Sequence, residues 1–299
     1  MANKHRKYME DDFDLDLYRK EQSDKTFFNK IREKSKKLSN IIKIILVIIS
    51  FITAYTLYNY TNYLIEVWRS NRINQTARSI IEQTIASESH KAYAVQNTET
   101  IPESKAPVTP TPALLPAILN QRDMFQNDDI VAYLKIEGSN IDFPVVHTDN
   151  NLYYLTHDLR KQNNAAGSAF MDYENQVDLL GYNTVIYAHN MRDGSMFHNL
   201  RNYEDEEYFA SHKIISLQTL YEDTLWEIYS FYETSIEFLY NTTTFRNAYE
   251  FLSFAEVTKE KSKYPSDVIF TEGIQILTLS TCTNRDADSR YVVHAVRLE

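Results

Sequence analysis

Glycine is scarce, with five in 299 residues, at positions 138, 167, 181, 194 and 273. Spaced that widely, they cannot form a GxGxxG or P-loop turn, which lets backbone amides approach a phosphate. Cysteine is scarcer still. Cys282 stands alone, which excludes an intrachain disulfide framework and any multi-cysteine zinc or iron–sulfur site. Basic residues are outnumbered, 31 Lys and Arg against 41 Asp and Glu. The net charge of −10 and pI near 5.4 argue against a nucleic-acid partner, which calls for a basic stripe. No internal repeat is visible. What remains is a chain that is 43% hydrophobic, long enough for one large domain or two small ones.

Its charge is unevenly spread. Residues 1–40 hold 11 Lys and Arg against 8 Asp and Glu, acids early (Glu10, Asp11, Asp12, Asp14, Asp16) and bases late (Lys30, Arg32, Lys34, Lys36, Lys37). The early acids read as a solvated face. Next comes IIKIILVIISFITAYTLY, Ile41 to Tyr58, whose one charge, Lys43, can snorkel to headgroups. Eighteen helical residues reach roughly 27 Å, close to the hydrocarbon thickness. Tyr60, Tyr63 and Leu64 extend the run with an aromatic belt. The run has no polar stripe, unlike a core helix, and some forty residues precede it, unlike a signal peptide. The expectation is a cytoplasmic tail at 1–40 and a transmembrane signal-anchor at 41–64. The preceding bases place the N-terminus inside and everything beyond about residue 65 outside.

Residues 66–95 can be helical, with Ile73, Ala77, Ile80, Ile81 and Ile85 near one stripe. They read as a frayed juxtamembrane helix, with a stalk or a weak self-association helix as alternatives. Five of the seven prolines (Pro102, Pro107, Pro110, Pro112, Pro116) follow. They mark an extended, semi-rigid spacer, so residues 65–116 are expected to be stalk and linker.

Residues 117–299 hold 14 basic and 28 acidic residues, a net of −14. After a short helix at 117–126, strands are expected at 131–137, 141–147, 168–172, 183–189, 213–219, 224–233, 274–281 and 290–298. Each is rich in β-branched or aromatic residues between turn signals. Eight strands in one compact domain point to a closed barrel without an open edge. Pro144 fits a bulge or an edge position. Phe245, Ala248, Tyr249, Leu252 and Ala255 follow a helical period, so a helix of about four turns is expected at 244–261, between strands six and seven.

Cys282 follows ILTLST, whose alternation puts Ile276, Thr278, Ser280 and Cys282 on one face. Arg290 opens the next strand. If these two strands pair antiparallel, Cys282 and Arg290 meet at one rim. His189 ends TVIYAH and can reach a rim too. Thiolate, imidazole and guanidinium together suit acyl transfer, as nucleophile, proton carrier and oxyanion donor. Taken singly, each has a plainer reading: a lone cysteine as a small hydrophobe, a lone histidine as a surface or core residue. Seven other histidines compete for the base, and none are paired as H-E-x-x-H. Glu204 to Glu207 read as a solvated helix start.

The wording around these residues is more specific. TLSTC (278–282), with Arg290 in DSRYVVHAVRL, resembles the sortase signature. NTVIYAHNMRDGSMFHNL (183–200) resembles the segment carrying that family's histidine, and AYLKIEGSNIDFPVV (132–146) its first barrel strands. DNNLYYLTHD (149–158), AHNMRDGSMF, the helix before the barrel and the long helix between strands six and seven resemble class B members. No Asp-Pro lid motif or second, C-terminal span is read, as class C members would have. The long N-terminal tail departs from the family pattern.

The resemblance implies a mainly β fold, an eight-stranded sortase-type barrel over 117–299. It implies a cysteine transpeptidase of Gram-positive bacteria with catalytic His189, Cys282 and Arg290. Ser280, Asn151 and Leu155 become substrate-groove residues by the same analogy; otherwise they read as a strand serine, a loop cap and a core leucine. It implies no cofactor or metal. The partners implied are surface proteins with a C-terminal LPxTG/NPxTN-like sorting signal, a peptidoglycan precursor amine as acceptor, and the lipid bilayer. Protein-to-protein transfer, as in pilus assembly, and a non-catalytic binding domain on the same barrel are the alternatives.

Overall fold

The computed structural model describes residues 15–96, 114–178, 180–283, 285 and 288–298. The proline spacer at 97–113 and the acidic start of the tail lie outside them. The chain divides into two compact units, Met1–Asn62 and Tyr63–Glu299.

No glycine or proline occurs between residues 15 and 96, and that stretch is one helix, α1 (Leu15–Gln96). In the first unit its apolar run is exposed throughout; Ile45, Val47, Ile49 and Phe51 are 48–72% accessible. This helix is long and apolar enough to cross a membrane.

The second unit is a closed barrel. Its strands are β1 (Ile130–Ile136), β2 (Asp142–Val146), β3 (Ala169–Met171), β4 (Asn183–Tyr187), β5 (Ile214–Thr219), β6 (Asp223–Ser235), β7 (Ile276–Cys282) and β8 (Ser289–Arg297). They run in the order β1-β2-β3-β4-β7-β8-β6-β5, with β5 closing on β1. The β2–β3 and β4–β7 pairs are parallel, the rest antiparallel. All eight anticipated strands are present, their ends shifted by no more than two or three residues. Pro144 pairs with Tyr133 of β1, one residue before the β2–β3 ladder starts at Val145. Its missing N–H thus falls where β2 has no second neighbour, as the edge reading requires.

Alternation fills the interior with Leu134, Phe143, Ile186, Trp226, Leu277 and Leu279. Helix α2 (Pro116–Phe125) precedes the barrel, and Pro116 opens it where no amide partner is lost. The short α3 (Glu206–Ser211) is capped by Asp205, whose carboxylate accepts from the Tyr208 amide at 2.8 Å. Helix α4 (Ala248–Glu260) lies between β6 and β7, capped by Asn247. It seats Phe251 and Ala255 against Tyr229, Ile276 and Val296.

One expectation needs correcting. Residues from Tyr63 onward belong to the barrel unit and do not stand off as a stalk. Ile73, Ala77 and Ile81 of α1 are buried among Ile118, Phe125, Ile130 and Tyr154. Each fully buried isoleucine contributes about 1.5–3 kcal/mol, enough to fix the stripe. Arg78 adds an ion pair to Asp142 at 2.8 Å, and Asn120 on α2 donates to Thr84 at 2.9 Å. The stripe marks an apolar helix face but not its partner, and the partner is the barrel.

Candidate active site

Strand β7 lies between β4 and β8. Its C-terminal end therefore emerges beside the C-terminal end of β4 and the first residues of β8. Tyr187 pairs with Ser280 across the parallel ladder, and Arg290 pairs directly with Cys282 across the antiparallel one. Just past β4, the Thr281 hydroxyl donates to the Ala188 carbonyl at 2.7 Å, and His189 follows. Three adjacent strands thus deliver an imidazole, a thiol and a guanidinium to one rim.

Leu277 and Leu279 point into the barrel, so Thr278, Ser280 and Cys282 face outward. The segment after β6 covers that face. A groove of about 390 Å³ forms there, lined by Asn151, Leu155, His189, Ser280, Cys282 and Arg290 together with Tyr240 and Thr281. All six residues singled out from the sequence line this one groove.

The thiol of Cys282 is free and partly exposed. Its backbone carbonyl accepts from Asn190 Nδ2 at 2.8 Å, and Asn190 Oδ1 accepts from His198 Nδ1 at 2.8 Å. The His189 ring meets the Leu155 carbonyl through Nε2 at 2.7 Å. A carbonyl can only accept, so Nε2 carries the proton and Nδ1 is left to exchange one. Leu155 therefore both lines the groove and offers its carbonyl to the ring. Arg290 donates to the Ser289 carbonyl at 3.0 Å.

Tyr240 escaped the sequence reading. It is 5% exposed and accepts from Ser280 Oγ at 3.0 Å. Burial pushes its phenol up, so it stays protonated. It sits in the aperiodic SIEFLYN connection, where no alternation marks an inward side chain. Asn151 is both groove residue and turn partner. Its Nδ2 donates to Asp172 Oδ2 at 3.0 Å, and its Oδ1 accepts from the Tyr173 amide at 2.9 Å. The same Asp172 oxygen accepts from the Tyr187 hydroxyl at 2.9 Å, which in turn accepts from Asn241. Burial, then the Asp172 charge, hold that phenol protonated.

Glu204 is not simply solvated. It pairs with Arg285, at 2.8 Å, in the β7–β8 connection, and accepts from Tyr291 at 3.0 Å. Glu233 pairs with the same guanidinium and accepts from Ser289 at 2.7 Å. These contacts fasten Arg285 and Ser289 to Glu204 and Glu233. Among the described residues, no three His, Cys, Asp or Glu side chains gather as a metal site.

A thiol, a ring nitrogen and a guanidinium around one groove can support acyl transfer, and the relatives of this chain match that chemistry. The family described as the Sortase domain matches residues 134–298, more than half of the chain, and the protein belongs to this family of cysteine transpeptidases. Its similarity is to class B. Sortase B of Listeria monocytogenes serovar 1/2a is 38% identical over 168 residues, 56% of this chain and 68% of that protein. A solved Staphylococcus aureus sortase B–substrate complex is 26% identical with a TM-score of 0.66, covering 79% of this chain and 99% of that one. A sortase B solved with triglycine is also 26% identical, with a TM-score of 0.65 over 77% and 98%.

Proposed function

We propose that this enzyme cleaves an LPxTG/NPxTN-like sorting signal near the C-terminus of a surface protein and transfers that protein to a peptidoglycan amine. The observation that carries the reading is the convergence of His189, Cys282 and Arg290 on one groove. Cys282 Sγ, as thiolate, attacks the threonine carbonyl carbon of the signal. Its carbonyl oxygen becomes an oxyanion, which the planar guanidinium of Arg290 stabilises with fixed donors. The peptide C–N bond then breaks, His189 gives a proton to the departing amine, and a thioester remains on Cys282. In the second half-reaction an acceptor amine attacks the thioester carbon. It loses a proton to His189 as the C–S bond breaks, the new amide forms, and the thiolate–imidazolium pair is restored. Asn151, Leu155 and Ser280 contact the signal along the groove. The substrate and triglycine complexes of the two solved relatives support a peptide substrate and an amine acceptor.

The chain serves in a Gram-positive envelope. Residues 1–40 form a cytoplasmic tail and 41–64 a single span, with the 117–299 barrel outside, where sorting signals and peptidoglycan precursors meet. The bases before the span support this orientation.

The test is intact-mass analysis of the full chain in neutral detergent with a pool of LPxTG- and NPxTN-type peptides. An acyl adduct present in the native protein and absent from Cys282→Ala supports the mechanism, and its mass names the motif. A folded protein that neither forms an adduct nor cleaves any peptide refutes it.

A further inference from the structure

A second pocket, of about 460 Å³, lies on the barrel unit away from the groove. It is lined by Trp68, Arg69, Arg72, Ile73 and Thr76 of α1 and by Arg160 and Gln162 of the loop after β2. Both walls are fixed. Asp158 Oδ1 accepts from the amides of Arg160 and Gln162 at 2.9 and 3.1 Å, which closes the turn. Lys161 of that turn pairs with Asp129 at 2.9 Å. The same loop is fastened to α1, since the Ala165 amide donates to Glu66 Oε2 at 3.1 Å and Asn164 to the Glu66 carbonyl at 3.3 Å.

Its charge runs against that of its surroundings. Residues 117–299 carry a net of −14, yet three guanidiniums share this pocket. Among the described residues, none of the three forms an ion pair with a carboxylate. Arg72 lies over the Trp68 ring at 5.1 Å and Arg160 over the Phe125 ring at 5.9 Å, which leaves their N–H forks open. Two acids of the flanking segments hold hydrogen bonds of their own, Asp158 Oδ1 with the amides of its turn and Glu66 Oε2 with Ala165. Guanidinium forks with free donors match phosphate oxygens.

Position in the chain selects the kind of phosphate. Trp68 follows Leu64, the end of the apolar run, by four residues. Even fully extended, four residues span only about 14 Å. The pocket therefore begins within reach of a bilayer surface, where tryptophan prefers to sit and basic side chains meet anionic headgroups. We propose that this pocket binds the phosphodiester headgroup of an anionic bilayer lipid and so turns one face of an otherwise acidic barrel toward the membrane. The assignment rests on the membrane-anchor reading above.

The protein has two tryptophans, Trp68, 60% exposed, and Trp226, fully buried, so headgroup binding is read from Trp68 emission. The full chain in neutral detergent is titrated with dioctanoyl-phosphatidylglycerol, with dioctanoyl-phosphatidylcholine and with inorganic phosphate. A saturable change with phosphatidylglycerol alone, weakened tenfold or more in Arg72→Gln/Arg160→Gln, supports the proposal. Equal responses to both lipids, or unaltered binding in the double variant, overturn it. Inorganic phosphate binding as tightly as phosphatidylglycerol overturns the lipid assignment in favour of a free anion. Carbonate-resistant sedimentation of the full chain with membranes is read alongside. Its failure removes the anchor itself, whereas an anchored chain indifferent to phosphatidylglycerol removes only this inference.

Discussion

Acid should destabilise the barrel through one histidine far from the chemistry. His294 on β8 is fully buried, packed among Tyr229, Tyr232 and Phe254. Asn183 Nδ2 donates to the Thr242 carbonyl at 2.9 Å, so Asn183 Oδ1 is the acceptor for the Thr278 hydroxyl at 2.7 Å. Thr278 Oγ1, its proton already committed, must accept from His294 Nδ1 at 2.8 Å. His294 Nε2 is then bare and accepts from the Tyr232 hydroxyl at 2.6 Å. Every donor in this chain has one acceptor, and a second proton on the ring has none. Burial accordingly lowers the imidazole from 6.5 to about 3. Because the folded value lies below the unfolded one, the stabilisation is complete above about pH 6.5 and is lost as pH falls toward 3. Between pH 7.5 and 5 the loss is about 2 kcal/mol. The assay is urea denaturation of the native chain and His294→Gln in neutral detergent at both pH values. The variant should start lower, by about 1–3 kcal/mol for the broken chain, but should lose about 2 kcal/mol less on acidification. The same acid-induced loss in both proteins would refute the reasoning.

Other expectations concern the groove. Arg290→Lys keeps the charge but not the fork, and kcat for peptide cleavage should fall by about 10²–10³; near-normal turnover removes Arg290 from the mechanism. Cys282→Ala should abolish adduct and turnover while thermal unfolding stays close to native; residual transfer removes the thiol from its role. Tyr240→Phe leaves Ser280 Oγ without its acceptor, so activity should drop while stability falls by only about 1 kcal/mol, read by kinetics beside denaturation. Gly167 sits at φ +57°, and a Cβ there would come within 2.8 Å of the Leu155 carbonyl. That carbonyl holds the His189 ring, so Gly167→Ala should lower both turnover and stability, the latter by about 2–3 kcal/mol. Native melting and turnover would contradict this link.

The strands were readable because each combines β-branched or aromatic residues with a turn signal, and α4 because Ala248, Leu252 and Ala255 repeat at its period. Their partners were not. Alternation in TVIYAH and ILTLSTC places side chains on faces but says nothing of the parallel β4–β7 ladder that brings His189 to Cys282. The six groove residues were named from motif wording joined to a chemical argument. Asp172, Asn190 and Tyr240 were not singled out, because each matters only through a neighbour distant in sequence. The same limit applies to Ile73 and Ala77, whose stripe was visible while the surface it covers was not.

On the proposed mechanism, the parallel β4–β7 ladder also sets when the thiol meets its imidazole. Asn190 and Cys282 stand 92 positions apart, and all of β5, β6 and α4 lies between them. Closing so long a segment is entropically costly and comes late in folding. Until it closes, the thiol lies in a half-built chain with no imidazole beside it, an ordinary cysteine among unfolded peptide. On the proposed mechanism a nascent copy then lacks the imidazole that acyl transfer requires, and that chemistry waits for the completed barrel.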